Sequence, residues 1–157
     1  MSNRLWIYQS DRVLSEADTE TLLSRMQEFC HNWQAHGQAL HAKAEVKENL
    51  FLFLSVDEKV AEATGCSIDS SVHFLHQVAA DLNIDFFNRL NTVYLVDGEP
   101  NIVHSSKLGA LYQKGEIAEE TIFFNPLIPN DKQFDSKWKV PFLEHWAYRN
   151  IKQSNPA

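Results

Sequence analysis

The fold is decided by the stretch Thr64-Gly65-Cys66-Ser67-Ile68-Asp69-Ser70-Ser71-Val72-His73-Phe74, which joins a strand to a helix. Before it, residues 50–56 are apolar at nearly every position, which predicts a central, buried strand. After it, an apolar stripe recurs at helical spacing through Ile68, Val72, Leu75, Ala79 and Leu82. The stretch therefore predicts a small polar turn, followed by an amphipathic helix that begins near Ile68.

This turn is the candidate ligand site, because a helix start offers free N–H groups. The candidate ligand-binding residues are Gly65, Cys66, Ser67, Ser70 and Ser71. Their N–H groups and hydroxyls suit a small anion or a carboxylate. A cap formed by Ser67 or Asp69 would instead occupy the N–H groups and close the site.

The same stretch contains the candidate catalytic residues Cys66, Asp69 and His73. Cys66 would lie just before the helix, where the helix dipole favours a thiolate, and His73 would act as its base. The alternative is a buried cysteine beside an apolar strand, next to the polar residues that any helix start needs. A second set, Asp69, His73 and His76, shares one helix face and most resembles metal ligands. No second cluster completes it, so no metal is expected.

Composition narrows the class of protein. The chain has 157 residues, 44% of them hydrophobic, and a net charge of −7, which predicts one globular domain over residues 1–157. Its basic residues are scattered, so a nucleic acid is not an expected partner. No run approaches the roughly 20 apolar residues that cross a bilayer, and the first residues lack a signal-peptide pattern. Two cysteines make no disulfide framework, which favours the cytoplasm.

The remaining periodicities predict the other elements. Leu22, Met26, Phe29 and Trp33 form the stripe of a helix that Ser15 begins and His36-Gly37 ends. Strands are predicted at residues 5–8, 40–46 and 91–96. The order through residue 96 is then β-α-β-β-α-β, so we expect an α+β, ferredoxin-like sandwich over residues 1–98. Residues 99–157 would form a hairpin-helix-strand extension docked on this core.

Four motifs spread along the chain resemble one known family. They are Trp6-Ile7-Tyr8-Gln9-Ser10-Asp11-Arg12, Phe29-x3-Trp33-x2-His36-Gly37, Gly65-Cys66-Ser67-Ile68-Asp69-x-Ser71-Val72-His73-Phe74 and Trp138-x-Val140-Pro141-Phe142. Together they resemble a family of small uncharacterised bacterial proteins whose members are often labelled as ATPases of ABC transporters. The resemblance covers nearly the whole chain, and it implies a bacterial protein without implying an activity.

The sequence itself excludes an ATPase of the P-loop kind. A phosphate-binding loop needs G-x-x-x-x-G-K-[ST], because its backbone wraps the phosphates and its lysine reaches the end of the nucleotide. Gly109 and Gly115 are one residue too far apart, and Glu116 follows the second glycine. No other pair of glycines fits, and no dinucleotide fingerprint is present, so no cofactor is expected.

A second, local resemblance lies near the C-terminus. Val93-Tyr94-Leu95-Val96-Asp97-Gly98, followed by Leu108-x2-Leu111-x3-Gly115-x-Ile117-x3-Thr121, is similar to a bacterial GYF-type adaptor domain. The resemblance implies a hairpin, a short helix, a glycine turn and a strand, and it implies binding of proline-rich peptides in an aromatic groove.

Two function hypotheses follow from these residues. The first is a non-enzymatic binding or interaction protein, whose partner is another protein or a small anionic ligand, with a homo-oligomer left open. The second is a thiol-dependent or redox-responsive enzyme that uses Cys66. Cys30 lies on the stripe of the first helix and is expected in the core, and the sequence leaves open whether the two cysteines approach each other.

Overall fold

A computed structural model describes the backbone of residues 3–154 and the side chains through Lys152. The outermost residues of the predicted 1–157 domain, 1–2 and 155–157, lie outside the described residues. The protein is a mixed α+β structure with antiparallel sheets and, within residues 3–154, five α-helices. It divides into two compact units. The first contains residues up to Phe87 together with Pro126–Lys132, and the second contains Asn88–Asn125 and residues from Gln133 onward. The predicted 1–98 core and 99–157 extension stay a prediction.

The first unit is built on a three-stranded antiparallel sheet. Its elements are β1 (Arg4–Gln9), α1 (Glu16–Asn32), β2 (Gln34–Ala35), β3 (Gln38–Ala39), β4 (His41–Lys47), β5 (Phe51–Asp57) and α2 (Gly65–Leu82). The strand order is β1-β5-β4, and β2 pairs with β3 as a separate small hairpin. The strand predicted to be central, β5, is the middle strand, and it is buried at all but two of its positions.

Both helices pack on one face of this sheet. Buried side chains of α1 (Leu22, Met26) and α2 (Leu75) meet the alternate β5 residues Leu52 and Leu54 in one cluster. Alternation places every second residue of a strand on the same face, so the apolar run of β5 supplies this face from its even-numbered positions. The two helical stripes therefore bury each other's apolar surface against the sheet, as their spacing predicts.

Helix α1 begins where the sequence predicts and ends earlier. The Ser15 side chain accepts a hydrogen bond from the Asp18 backbone N–H at 3.1 Å, as an N-cap does. The helix ends at Asn32, however, and His36 and Gly37 turn the β2–β3 hairpin. Their φ angles are +52° and +76°, the pattern of a two-residue hairpin turn. A glycine with positive φ is typical both of a helix C-cap and of a two-residue hairpin turn. The sequence alone therefore did not distinguish the two at Gly37.

The predicted fourth strand lies in a different sheet from the one expected. In the ferredoxin-like arrangement it would pair with the first strand, but Asn91–Val96 pairs with strands of the second unit. The edge of β1 is occupied at Arg4 by a bridge to Asn130. A backbone hydrogen bond of 3.0 Å from Leu5 to the Pro129 carbonyl lies beside this bridge. The segment Pro126–Lys132 thus pairs with the start of β1, at the edge where a fourth strand would have lain.

The second unit contains a four-stranded antiparallel sheet. Its elements are β6 (Asn91–Val96), β7 (Glu99–His104), α3 (Leu108–Gln113), β8 (Ile122–Phe124), α4 (Phe134–Lys137), β9 (Lys139–Pro141) and α5 (Trp146–Ser154). The strand order is β7-β6-β8-β9. Asp97 and Gly98 form the two-residue turn of the β6–β7 hairpin, both with positive φ. The hairpin, the short helix, the Gly115 turn and the strand follow one another in the predicted order.

A buried histidine sits at the start of α5. His145 is 5% exposed, and its Nδ1 accepts a hydrogen bond from the Ala147 N–H at 3.1 Å. Its ring also lies 5.0 Å from that of Phe123. Burial lowers the pKa of His145 from 6.5 to about 4, against a smaller opposing effect of a hydrogen bond with the Phe124 backbone. The folded protein therefore holds this histidine neutral at pH 7.

We expect the free energy of unfolding to fall as pH is lowered from 6.5 to 4. In that window the unfolded chain protonates His145 while the folded chain does not, so protons favour unfolding; the contribution is complete above pH 6.5. The loss attributable to His145 is about 3 kcal/mol, from about 1.4 kcal/mol per pKa unit. Urea unfolding at several pH values measures it. His145→Gln should reduce the fall in the free energy of unfolding between pH 6.5 and 4, whereas His41→Gln, at an exposed position, should leave it as in the wild type. An equal fall in His145→Gln and the wild type would contradict a contribution from His145.

Candidate functional site

A capping box that was not expected from the sequence fixes the start of α2. The Thr64 side chain accepts from the Ser67 N–H at 3.3 Å, and the Ser67 hydroxyl oxygen accepts from the Thr64 N–H at 2.7 Å. The helix therefore begins at Gly65 and not at Ile68, and neither Ser67 nor Asp69 is the N-cap. The signal was present as Thr64-x-x-Ser67, with serine in the place of the usual glutamate.

The serine hydroxyls predicted to bind an anion are hydrogen-bonded to the backbone of their own helix. Ser67 donates to the Thr64 carbonyl at 2.8 Å, Ser70 to the Cys66 carbonyl at 3.0 Å and Ser71 to the Ile68 carbonyl at 2.6 Å. Ser67 and Ser71 are also buried. Serine in a helix often bonds in this way. Only the N–H groups at the first positions, Gly65 and Cys66, are left for a ligand.

The three candidate catalytic residues do not form a catalytic set. Cys66 and His73 lie on the same helix seven residues apart, which separates them by about 10 Å along its axis. A general base must lie within hydrogen-bond reach of the proton that it takes. His73 instead contacts the side-chain amide of Gln77 at 3.3 Å, and Asp69 is exposed. The helix therefore separates the thiol from the predicted base.

The candidate metal ligands are likewise not assembled. The His76 ring stacks on Phe87 with 3.8 Å between centroids and 17° between planes. His73 is engaged by Gln77, one turn further along the helix. Across residues 3–154, no three His, Cys, Asp or Glu side chains are placed to hold a metal ion.

The two cysteines lie in opposite environments. Cys30 is buried in the cluster between α1, α2 and the sheet, and desolvation raises the pKa of its thiol to about 11. Cys66 is exposed in the first turn of α2, and both thiols are free. Cys30 is thus a core residue, as its position on the helical stripe predicts.

The structure brings together a different set of residues, in an open groove between α1 and α2. The groove has a volume of about 570 Å³. Its lining residues are Arg25, Glu28, Phe29, Asn32, Trp33, Gln34, Ser70 and Phe74. Ser70 is the one predicted ligand-binding residue among them. The volume lies within the range of about 300–1,000 Å³ that is usual for small-molecule sites.

Aromatic rings form the apolar part of this groove. Phe29 and Phe74 stack with 5.0 Å between centroids, and Phe29 lies 5.3 Å from the Trp33 ring. The Trp33 indole N–H donates to the Ser67 carbonyl at 2.8 Å, which ties the end of α1 to the first turn of α2. The sequence placed Phe29 and Trp33 on the core stripe and did not reveal that they border a groove.

The polar rim combines paired and unpaired groups. Arg25 forms a 2.7 Å ion pair with Asp81, and its guanidinium lies 5.7 Å from the centre of the Phe74 ring. The Glu28 carboxylate and the Gln34 amide are exposed and have no hydrogen-bond or ion-pair partner among the described side chains and backbone. These two groups are available to a ligand without breaking an existing contact.

Comparison with known proteins assigns neither a family nor a function to the chain. No protein-family model, no curated protein and no solved structure matches the chain. Of the helices within residues 3–154, none combines the length and apolar composition needed to span a membrane.

We expect Cys66 to react with iodoacetamide well before Cys30 in the folded protein, because Cys66 is exposed and Cys30 is both buried and held as the thiol. Timed alkylation at pH 8, followed by peptide mass spectrometry, measures the two rates. In urea the rates should converge, which controls for differences in peptide detection. Similar rates in the folded state would be inconsistent with this arrangement of the helices.

Thr64→Ala should destabilise the protein by about 1 kcal/mol, because it removes the side-chain acceptor of the capping box. Asp69→Ala, at an exposed position that caps nothing, should change the free energy of unfolding by less than about 0.5 kcal/mol. Urea unfolding of both variants checks the pair. A larger cost at Asp69 would restore it as the cap.

Proposed function

We propose that this protein is a non-enzymatic binding protein and that the α1–α2 groove binds a small, partly aromatic ligand. The observation that carries the proposal is the groove itself, where stacked aromatic rings adjoin polar groups without partners. Apolar walls with a few well-placed polar groups are the usual composition of a ligand site. Phe29 and Phe74 supply a surface for ring stacking, and Glu28 and Gln34 supply an acceptor and a donor.

Charge indicates which ligands the groove favours. The positive charge of Arg25 is already matched by Asp81, whereas the Glu28 carboxylate is unmatched. An anionic ligand would meet the unmatched carboxylate and would have to displace Asp81 to use Arg25. We therefore expect neutral and cationic ring compounds to bind more tightly than anionic ones. This shifts the proposed ligand away from the small anion that the helix start favoured.

Three probes that share a ring and differ in charge test the proposal: benzylamine, indole and benzoate. The Trp33 indole N–H signal, observed by ¹H–¹⁵N NMR, reports on the groove, since this group is bonded to Ser67. We expect benzylamine and indole to shift it saturably with dissociation constants of about 1 mM, and benzoate to bind most weakly. Trp138, which belongs to the second unit, provides an internal reference signal.

Variants on the helix surfaces make the test specific. Ser70→Phe places a bulky ring in the groove from an exposed position and should abolish the Trp33 shifts. Ser24→Phe introduces the same ring at an exposed position of α1 outside the groove and should leave them unchanged. If none of the probes shifts Trp33, or if Ser70→Phe binds like the wild type, the groove is not a ligand site.

The thiol-dependent alternative rests on one observation, the exposure of Cys66 in the first turn of α2. Its predicted base is two helical turns away, so such chemistry would need a base from elsewhere. Cys66→Ser separates the hypotheses. If the groove is the functional site, Cys66→Ser should retain the affinities for the three probes. If the protein is a thiol enzyme, Cys66→Ser should lose all thiol-dependent activity.

We infer that the first unit is a ferredoxin-like arrangement without its fourth strand, which the β1-β5-β4 order and the two helices on one face support. We infer a relation of the second unit to GYF-type adaptors, supported by the succession of hairpin, α3, Gly115 turn and β8. We also propose that the chain belongs to the family of small bacterial proteins that its four motifs resemble. We propose a cytoplasmic location, which the two free thiols favour.

A further inference from the structure

Two tyrosines of the second unit converge on one carboxylate. Tyr112 belongs to α3 and Tyr148 to α5, and their rings meet edge to face with 6.1 Å between centroids. Both hydroxyls donate to the same oxygen of Glu119, Tyr112 at 3.2 Å and Tyr148 at 2.9 Å. Three separate parts of the chain thus hold two electron-rich rings beside a negative charge, and all three side chains are at least partly accessible to solvent.

A cation already lies against these rings. The ammonium nitrogen of Lys152 is 5.3 Å from the centre of the Tyr112 ring and 5.5 Å from that of Tyr148. These distances fall within the roughly 6 Å over which a cation is attracted to a ring face. Tyr148 and Lys152 are four residues apart on α5, so a contact between them alone would be an ordinary helix-surface pair. Tyr112 belongs to another helix, so the Lys152 ammonium group lies against two aromatic rings from different elements.

We propose that Tyr112, Tyr148 and Glu119 form a binding site for an alkylammonium group and that Lys152 occupies this site until an external ligand displaces it. Pairs of aromatic rings with a nearby carboxylate are a recurring way to bind organic cations. The hydroxyls of both rings bond to Glu119, both rings also contact Phe142, and α5 places Lys152 next to them. The site is independent of the α1–α2 groove, and it takes a single charged group.

The protonation state of the tyrosines suits this role. Loss of hydration, together with the hydrogen bond and the charge of Glu119, raises the pKa of Tyr148 to about 12. The hydroxyl of Tyr148 therefore remains a donor to Glu119 across the physiological range.

The alkylammonium group can come from two sources, a free alkylammonium compound and a lysine side chain of a peptide. The probe for the shared chemistry is n-butylammonium, which reproduces the end of a lysine side chain, with n-butanol as its neutral counterpart. The peptide probe is acetyl-Gly-Lys-Gly-amide, with acetyl-Gly-norleucine-Gly-amide as its neutral counterpart. Ring signals of Tyr112 and Tyr148 in ¹H–¹³C NMR spectra report binding.

Lys152→Ala should bind n-butylammonium about fivefold more tightly than the wild type, because it removes the internal competitor for two cation–π contacts. The norleucine peptide and n-butanol should produce no saturable shift of the ring signals. Tighter binding of the lysine peptide than of n-butylammonium assigns the site to a peptide, and equal affinity assigns it to a free compound. Equal affinity of n-butylammonium for the wild type and Lys152→Ala, or equal binding of n-butanol, overturns the proposal.

Ring variants in the Lys152→Ala background complete the test. Tyr148→Phe keeps the ring and loses only the hydroxyl bond to Glu119, so it should retain most of the affinity. Tyr148→Leu removes the ring and should weaken binding at least fivefold. Circular dichroism verifies that each variant is folded, and the comparison of n-butylammonium with n-butanol in Lys152→Ala remains decisive if Tyr148→Leu does not fold. Unchanged affinity in folded Tyr148→Leu would contradict the site.

Discussion

The arrangement of the first unit depends on one buried tryptophan, Trp33. It follows the last residue of α1, and its indole N–H donates to the Ser67 carbonyl in the first turn of α2. Its own carbonyl accepts from the Leu40 N–H at 2.9 Å, and its ring lies 6.0 Å from that of Trp6 on β1. A buried indole N–H that loses its acceptor costs on the order of 1–3 kcal/mol. This requirement ties the end of one helix to the beginning of the other.

The groove follows from that constraint. Because Trp33 joins the two helices at this end, Phe29 and Phe74 are held in contact above it and form a surface that neither helix makes alone. At the far end of α2, the ion pair between Arg25 and Asp81 also links the helices. Both links join helices whose apolar faces pack on the same sheet. The groove is thus a feature of the helix pair itself, and a ligand of the kind proposed above would require little ordering of the protein to stack in it.

Sequence periodicity predicted the strands and helices that bury an apolar face. It did not predict where α1 ends and α2 begins, which single hydrogen bonds determine, or which strands pair across the chain. The runs and stripes located β5, α1 and α2 correctly, because burial of a face leaves a repeating signal. The starts and ends of helices depend on single hydrogen bonds, such as that of the Thr64 side chain, and one serine in place of glutamate concealed the cap. The Asp97-Gly98 turn is a local signal for the pairing of Asn91–Val96 with β7, but its pairing with β8 in place of β1 left no such signal. Strand pairing is decided by contacts distant in sequence, and here the segment Pro126–Lys132 lies beside the start of β1.

The candidate site shows why polar composition alone is a weak guide to function. The serines after Thr64 suggested an anion site, yet their hydroxyls donate to carbonyls of the helix, which removes them from use by a ligand. A side chain that is fully hydrogen-bonded within the protein gains little by exchanging that partner for another. The groups that can contribute net binding energy are those without a partner in the described part of the chain, such as Glu28 and Gln34. Such groups are recognised only when the contacts of every neighbour are known. For this reason the sequence located the helices that bear the groove, and the structure was needed to locate the groove itself.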